Sequence, residues 1–175
     1  MRRRRTLILG GARSGKSRLA LQLGERIEGK RLFLATCPPL DPEMRDRIAR
    51  HQRDRGSSWD TIEAFYDLDR VILKTEGRYD VVLIDCLTLW LSNRVMENQE
   101  EAQIRNEILG LKGAIRRSMA HLFLVSNEVG MGVVPSSRLG RDFRDLQGFL
   151  NQEMAAVAEE VYLTIAGIPV RMKPA

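Results

Sequence analysis

Short runs of β-branched residues and leucine recur along the chain, separated by longer segments in which apolar residues return every three or four positions. The first pattern suits strands buried on both faces and the second suits amphipathic helices. Their alternation predicts an α/β fold, a mostly parallel sheet flanked by helices. Strands are predicted at Thr6–Leu9, Arg31–Ala35, Asp80–Ile84, His121–Ser126 and Val161–Ala166. A last strand, Val170–Lys173, follows Gly167 and Pro169, whose turn chemistry predicts an antiparallel hairpin at the C-terminus. Helical faces are read at Leu19, Ala20, Leu23 and Ile27, with Gly29 as the expected C-terminal cap. Two more follow at Ile104, Ile108, Leu111 and Ile115, and at Phe143, Leu146, Leu150 and Val157. These apolar positions are assigned to the core and given no chemistry.

A length of 175 residues predicts one domain, residues 1–175, and no repeat, low-complexity tract or linker marks a boundary within it. The longest aliphatic runs, such as Val81–Ile84, fall far short of the roughly 20 residues that cross a bilayer, so no membrane span is expected. Arg2 to Arg5 followed by Thr6–Leu9 imitates the opening of a signal peptide, but Gly10, Gly11, Arg13 and Lys16 interrupt any apolar core. The expected compartment is the cytoplasm, where Cys37 and Cys86, too few for a framework and without CxxC spacing, remain thiols. The net charge of +5 favours an anionic partner, and 23 of the 28 basic residues are arginine. Charge alone does not choose between a phosphate-rich small molecule and nucleic acid. The tetra-arginine start reads as a solvated, frayed end.

Gly10-Gly11-Ala12-Arg13-Ser14-Gly15-Lys16-Ser17 satisfies GxxxxGK[ST], directly after an aliphatic strand and directly before an amphipathic helix. Each residue type has its chemistry. Glycines let the backbone wrap closely with N–H groups pointing inward, and the helix start adds partial positive charge. Lys16 reaches the terminal phosphates, and the Ser17 hydroxyl can ligate Mg²⁺. The partner acid should end a neighbouring strand, and Val81-Val-Leu-Ile-Asp85 makes Asp85 the candidate to hold magnesium through water. The plain alternative for Asp85 is a cap on the next helix.

Of the two histidines, His121 opens an aliphatic strand and is read as packed rather than catalytic. His51 lies in Asp41-Pro42-Glu-Met-Arg-Asp-Arg-Ile-Ala-Arg-His51-Gln52-Arg53-Asp54-Arg55, a helix with Asp41 as N-cap and Pro42 in its first position. Two readings of it stand. Met44, Ile48 and His51 share a face, which suits a half-buried packing histidine. Arg47, Arg50 and Arg55 surround it, which would keep the imidazole neutral and nucleophilic at pH 7. Those arginines in turn are either triphosphate ligands or a solvated face countered by Asp46 and Asp54.

Several blocks together resemble one family: Gly10–Ser17, Ala35-Thr36-Cys37, Asp41-Pro-Glu-Met44, Arg47-Ile48, His51 with Arg55 and Trp59, and Thr61-Ile-Glu63. They continue through Val82-Leu-Ile-Asp85, Ser126-Asn-Glu-Val-Gly-Met-Gly-Val-Val-Pro135, Arg138-Leu139, Arg141-Asp-Phe-Arg-Asp145, Asn151-Gln152 and Val161. The family is the bifunctional adenosylcobinamide kinase and adenosylcobinamide-phosphate guanylyltransferase of cobalamin assembly. One departure is Gly56, where the family often has proline. The resemblance implies a RecA-like P-loop fold and two reactions. In the first, a nucleoside triphosphate phosphorylates the aminopropanol hydroxyl of adenosylcobinamide. In the second, His51 attacks the α-phosphate of GTP, releases pyrophosphate and passes GMP to adenosylcobinamide phosphate. It implies His51 and Lys16 as catalytic and ATP and GTP as substrates. Nucleotide contacts would come from Gly10 to Ser17, Ala35, Thr36, Cys37, Gln52, Arg53, Asp54, Arg55, Glu63 and Asp85. Ser17 and Asp85 would serve Mg²⁺, and the assembly would be a homotrimer. A P–N bond keeps the transfer potential that lets the nucleotidyl group be handed onward.

Asn127, Glu128, Gly130 and Gly132 follow the fourth predicted strand, at the edge where open α/β sheets bind ligands, and read either as a substrate-side loop or as a plain glycine-rich connection. Two rivals remain at this stage. One is a P-loop kinase of another small alcohol with a structural His51. The other is a RecA-like nucleic-acid-binding ATPase, against which stand the few aromatics in the basic segments and the lack of a base-reading module.

Overall fold

The computed structural model describes residues 4–39, 42–97 and 100–174. In chain order the elements are β1 (Arg5–Gly10), α1 (Lys16–Glu25), β2 (Arg31–Ala35), α2 (Pro42–Arg55), β3 (Asp60–Glu63), α3 (Leu68–Lys74), β4 (Val81–Asp85), α4 (Leu87–Met96), α5 (Glu101–Arg117), β5 (His121–Asn127), α6 (Arg138–Val157), β6 (Glu160–Ile165) and β7 (Ile168–Lys173). The strands form one seven-stranded sheet in the order β3-β2-β4-β5-β1-β6-β7. Six strands run parallel and β7 returns antiparallel to β6, so the mostly parallel sheet and the C-terminal hairpin are both present.

Successive side chains of a strand face opposite ways, and the burial follows that period. Leu7, Leu32, Leu34, Val82, Ile84, Leu122 and Leu124 meet α3, α4, α5 and α6 on one face. Ile8, Phe33, Val81, Leu83, Phe123 and Val125 meet Ala20 of α1 and Trp59 on the other. Each of these side chains contributes about 1.5–3 kcal/mol by leaving water. His121 is packed at the start of β5, 8% exposed. The faces predicted for α5 and α6 are the buried ones, with Ile104, Ile108, Leu111, Ile115, Leu146 and Leu150 in the core and Phe143 and Val157 packed against it.

Several expectations need correction. The strand β3 and the helices α3 and α4 were not expected, because DTIE has one apolar residue to show a period and α4 is too apolar on all sides to show one. Gly29 does not cap α1, which ends at Glu25 with Arg26 as cap and leaves Ile27 beyond it. Gly29 lies instead in the turn into β2, where the next amide, Lys30 N, donates to Asp80 Oδ2 at 2.8 Å. The hairpin turn is Ala166-Gly167, and Pro169 lies within β7, paired with Thr164. An edge strand tolerates proline because one side of its ladder faces solvent. Asp41 lies outside the described residues, while Pro42 does open α2. Gly56 closes that helix at φ +64, its N–H donating to Arg53 O at 3.2 Å. Proline is locked near φ −65° and has no N–H, so it could make neither the left-handed turn nor this bond.

The arginine tract is not frayed where it is described. Arg4 pairs with Glu160 at 2.6 Å, and Arg5 lies in β1 with its backbone N–H and its guanidinium both donating to Glu159. The pairing tethers the start of β1 to the residues that lead into β6. The hydrogen bonds from Arg5 outweigh partial burial and hold the Glu159 carboxyl below its ordinary value of 4.5. A carboxylate depressed by folding stabilises the fold above its unfolded pKa, and that contribution is lost as pH falls through the folded one. Glu159→Gln should therefore be less stable than the parent at pH 7 in urea unfolding. The gap should close as pH falls below 4.5 and through the depressed folded value. A gap that widens on acidification would contradict the pairing.

Candidate functional site

β1 ends at Gly10, where a side-chain carbon would stand 2.4 Å from the Thr164 carbonyl oxygen and 2.6 Å from Ser14 Oγ. Only glycine allows the chain to pass so close to β6 and turn into the loop, which continues through Arg13 at φ 55 and Gly15 at φ 97. The β6–β7 turn braces the loop from outside. Gly167 N–H donates to Ser14 O at 3.0 Å, and Thr164 Oγ1 donates to Leu9 O at 2.7 Å while lying 3.3 Å from Ser14 Oγ. Lys16 is buried, with Nζ donating to Gly11 O at 2.6 Å and reaching Ser14 Oγ at 3.4 Å. Gly15 is the N-cap of α1, no side chain caps it, and the first turn holds no acid. The first amides of α1 and its positive dipole end are thus available to an anion. Gly11, Ala12 and Arg13 are exposed.

The period of the strands assembles the rest. Asp85 has the parity of Val81 and Leu83, and Ala35 that of Phe33, so both face the α1 side at the carboxyl ends of β4 and β2. Glu63 is the register partner of Ala35, and Ala35 that of Asp85. Gly10 pairs with Asn127, which has the parity of Val125. One face of the sheet therefore carries Glu63, Ala35, Asp85, Asn127 and Gly10 in a row. From β1 to β3 the row crosses four strand spacings, about 19 Å. The expectation that Asp85 ends the strand beside the loop strand is corrected, because β5 lies between β4 and β1. Nor does Asp85 cap α4; that N-cap is Cys86, whose Sγ accepts from Leu89 N at 3.5 Å.

Thr36 is fully buried, and its hydroxyl donates to Cys86 O and accepts from Cys86 N, both at 2.7 Å. Asn93 of α4 donates to Thr36 O at 2.9 Å and to Phe65 O at 3.1 Å. The Thr36 side chain therefore clasps the ends of β2 and β4 together, between the half-buried Ala35 and Cys37. A second clasp holds the end of β5. Asn127 N–H donates to Thr88 Oγ1 at 2.7 Å, and Asn151 Nδ2 donates to Asn127 O at 3.0 Å. Ser126 Oγ donates to Asn151 Oδ1 at 2.7 Å and accepts from Gln147 Nε2 at 3.0 Å. Sequence reasoning gave none of Thr88, Asn93, Gln147 and Thr164 a role. Single buried polar residues leave no period; of the two clasps, Thr36, Ser126, Asn127 and Asn151 stood in the blocks that carried the resemblance.

Gln52 and Arg53 are exposed on α2. The backbone of His51, Asp54 and Arg55 completes α2, and their side chains, like those of Met44, Arg47 and Arg50, lie outside the described set. Glu63 is exposed at the far end of the row.

The residues suit a magnesium ion that arrives with phosphate. The half-buried Ser17 hydroxyl and Asp85 carboxylate make no side-chain hydrogen bond or ion pair among the described residues, and both lie on the α1 side of the carboxyl edge. No group of three or more acidic, histidine or cysteine side chains forms a protein-only cage among those residues. One hydroxyl and one carboxylate, completed by phosphate and water, is a magnesium donor set.

The profile of the family described as "Cobinamide kinase / cobinamide phosphate guanyltransferase" matches residues 6–172. The chain belongs to that family. It is 41% identical over 180 residues to the bifunctional adenosylcobalamin biosynthesis protein CobU of Escherichia coli K12, covering 95% of this chain and 98% of that one. It is 38% identical over 169 residues to the corresponding CobP protein of Pseudomonas aeruginosa, covering 97% of each. Among solved structures, a type III secretion system ATPase superposes with a TM-score of 0.54 at 10% identity, over 91% of this chain and 50% of its own. That likeness shows the fold of P-loop ATPases. Family membership makes the chain an enzyme, a kinase and nucleotidyltransferase.

In this family member the two thiols differ in kind. Burial, reinforced by the neighbouring Asp85 charge, pushes Cys86 up to about 12, whereas Cys37 is half-buried. At pH 8 a maleimide should label Cys37 in the native protein and reach Cys86 only after unfolding. Rapid labelling of both in the native state would contradict the Cys86 cap.

Proposed function

We propose that the chain phosphorylates the aminopropanol hydroxyl of adenosylcobinamide and then transfers GMP from GTP to the product. The observation that carries this is the row on the α1 face. It begins at a loop and helix start built for phosphate and ends at the Glu63 carboxylate, which can accept from the N1–H and N2 amine of guanine. An extended nucleotide laid along the row would bring its terminal phosphates to Lys16 and its base toward Glu63. In this reading Ala35, Thr36 and Cys37 would contact it in between, and Gln52 to Arg55 would reach it from α2.

In the first step the alcohol oxygen bonds to the γ-phosphorus, the bond to the β–γ bridging oxygen breaks, and a nucleoside diphosphate leaves as the hydroxyl proton passes to solvent. Lys16 and the amides of Gly10 to Ser17 hold the β- and γ-oxygens. Ser17 and, through water, Asp85 would hold Mg²⁺, which neutralises phosphate charge when bound. In the second step a His51 ring nitrogen bonds to the α-phosphorus of GTP and pyrophosphate leaves. A phosphate oxygen of adenosylcobinamide phosphate then displaces the histidine, giving adenosylcobinamide-GDP and the free imidazole.

ATP or GTP serves the first step and GTP the second. The reading includes one nucleotide-binding domain over residues 1–175, no nucleic-acid partner and a cytoplasmic setting. No helix among the described residues is long and apolar enough to cross a membrane. It also includes a homo-oligomer, with the trimer taken from the resemblance; the exposed Ile168, Val170 and Met172 along the edge strand β7 leave apolar surface for association.

With α-labelled GTP, the protein should take up acid-labile, alkali-stable label that His51→Ala abolishes. His51→Ala should retain more phosphorylation than guanylylation, and Lys16→Ala should depress both reactions. Label that survives in His51→Ala, or equal loss of both reactions in that variant, would overturn the guanylyl-histidine.

A further inference from the structure

Asn127 has a setting that the row alone does not explain. It ends β5, the strand between the phosphate-loop strand and the one that ends in Asp85. It pairs with Gly10, and the next amide, Glu128 N–H, donates to Gly10 O at 3.1 Å. Its parity with Val125, opposite to Ser126, puts the side chain on the face of α1, where Lys16 and Ser17 begin the helix.

Its backbone is held on both sides by side chains from two helices, Thr88 of α4 and Asn151 of α6. Thr88, Ser126, Gln147 and Asn151 are all buried, and Gln147 Oε1 has no hydrogen-bond partner. A polar network in an apolar core is a poor way to gain stability and a good way to fix one geometry. The Asn127 carboxamide takes no part in it. It makes no hydrogen bond among the described residues although the residue is half-buried. An asparagine at a strand end commonly bonds the following backbone, and here Glu128 does so instead, its Oε1 accepting from Gly130 N–H at 2.7 Å. The arrangement is a rigid mount carrying an uncommitted neutral donor and acceptor.

We propose that Asn127 is a catalytic residue of phosphoryl transfer, its carboxamide N–H donating to a γ-phosphoryl oxygen of the bound triphosphate. The proposal rests on the kinase reading above. While the alcohol oxygen bonds to phosphorus and the β–γ bridge breaks, charge spreads over the equatorial oxygens. A fixed neutral donor stabilises that charge with no reorganisation. Thr88 and Asn151 are positioning residues that act through its backbone.

The test compares the parent with Asn127→Ala and with the isosteric Asn127→Asp, which removes the donor. The carboxamide makes no internal bond, so both variants should keep the parent's thermal midpoint. Phosphorylation of adenosylcobinamide should fall about 100-fold in kcat, with KM for adenosylcobinamide within about threefold. Parent-like kcat in either folded variant overturns the proposal. A second readout needs no corrinoid: the preference for a non-hydrolysable triphosphate over the diphosphate should fall about tenfold in Asn127→Ala. An unchanged preference also overturns it. If the parent phosphorylates no cobinamide, the kinase reading fails by itself, and the binding preference still decides Asn127.

Discussion

A triphosphate is held where a chain can turn its amides and one ammonium toward the same point, and here that demands a backbone approach with no room for a side chain. Gly10 meets the demand. A methyl there would drive into Thr164, and the loop it starts is braced by Thr164 and Gly167 of the hairpin. The hairpin thus does more than close the sheet. It fixes the outer wall of the phosphate loop, and β6 in turn is tied through the adjoining Glu159 to Arg5 at the other end of β1.

The same sheet decides which residues can act together. Parallel strands end at one edge, and their two-residue period sends alternate side chains to one face. Glu63, Ala35, Asp85, Asn127 and Gly10 come from five strands and share a row for that reason. Apolar packing positions the strands, and buried polar clasps fix their last residues. The Thr36 hydroxyl locks Cys86, and Thr88 with Asn151 locks Asn127. A one-residue slip in any of these strands would turn its functional side chain toward α3–α6.

Much of this was legible in the chain itself. Alternating periods predicted the α/β class, and GGARSGKS and VVLID marked a candidate loop and acid, because the chemistry of phosphate restricts residue types strongly. The order of strands was not legible, so Asp85 was expected beside β1 when β5 separates them. Glu63 entered through resemblance alone, since the short strand β3 shows no period of its own. The bonds between the Thr36 hydroxyl and Cys86, fifty positions away, were not legible either, because no local pattern records such a pairing.

The most direct measurement is a crystal structure with Mg²⁺ and a non-hydrolysable GTP analogue. The account predicts the β- and γ-phosphates on the amides of Gly10 to Ser17 and on Lys16, the metal between Ser17 and Asp85, and the base directed along the row toward Glu63. A nucleotide bound on the α3–α6 face, or one whose phosphates contact neither Lys16 nor the α1 amides, would contradict it.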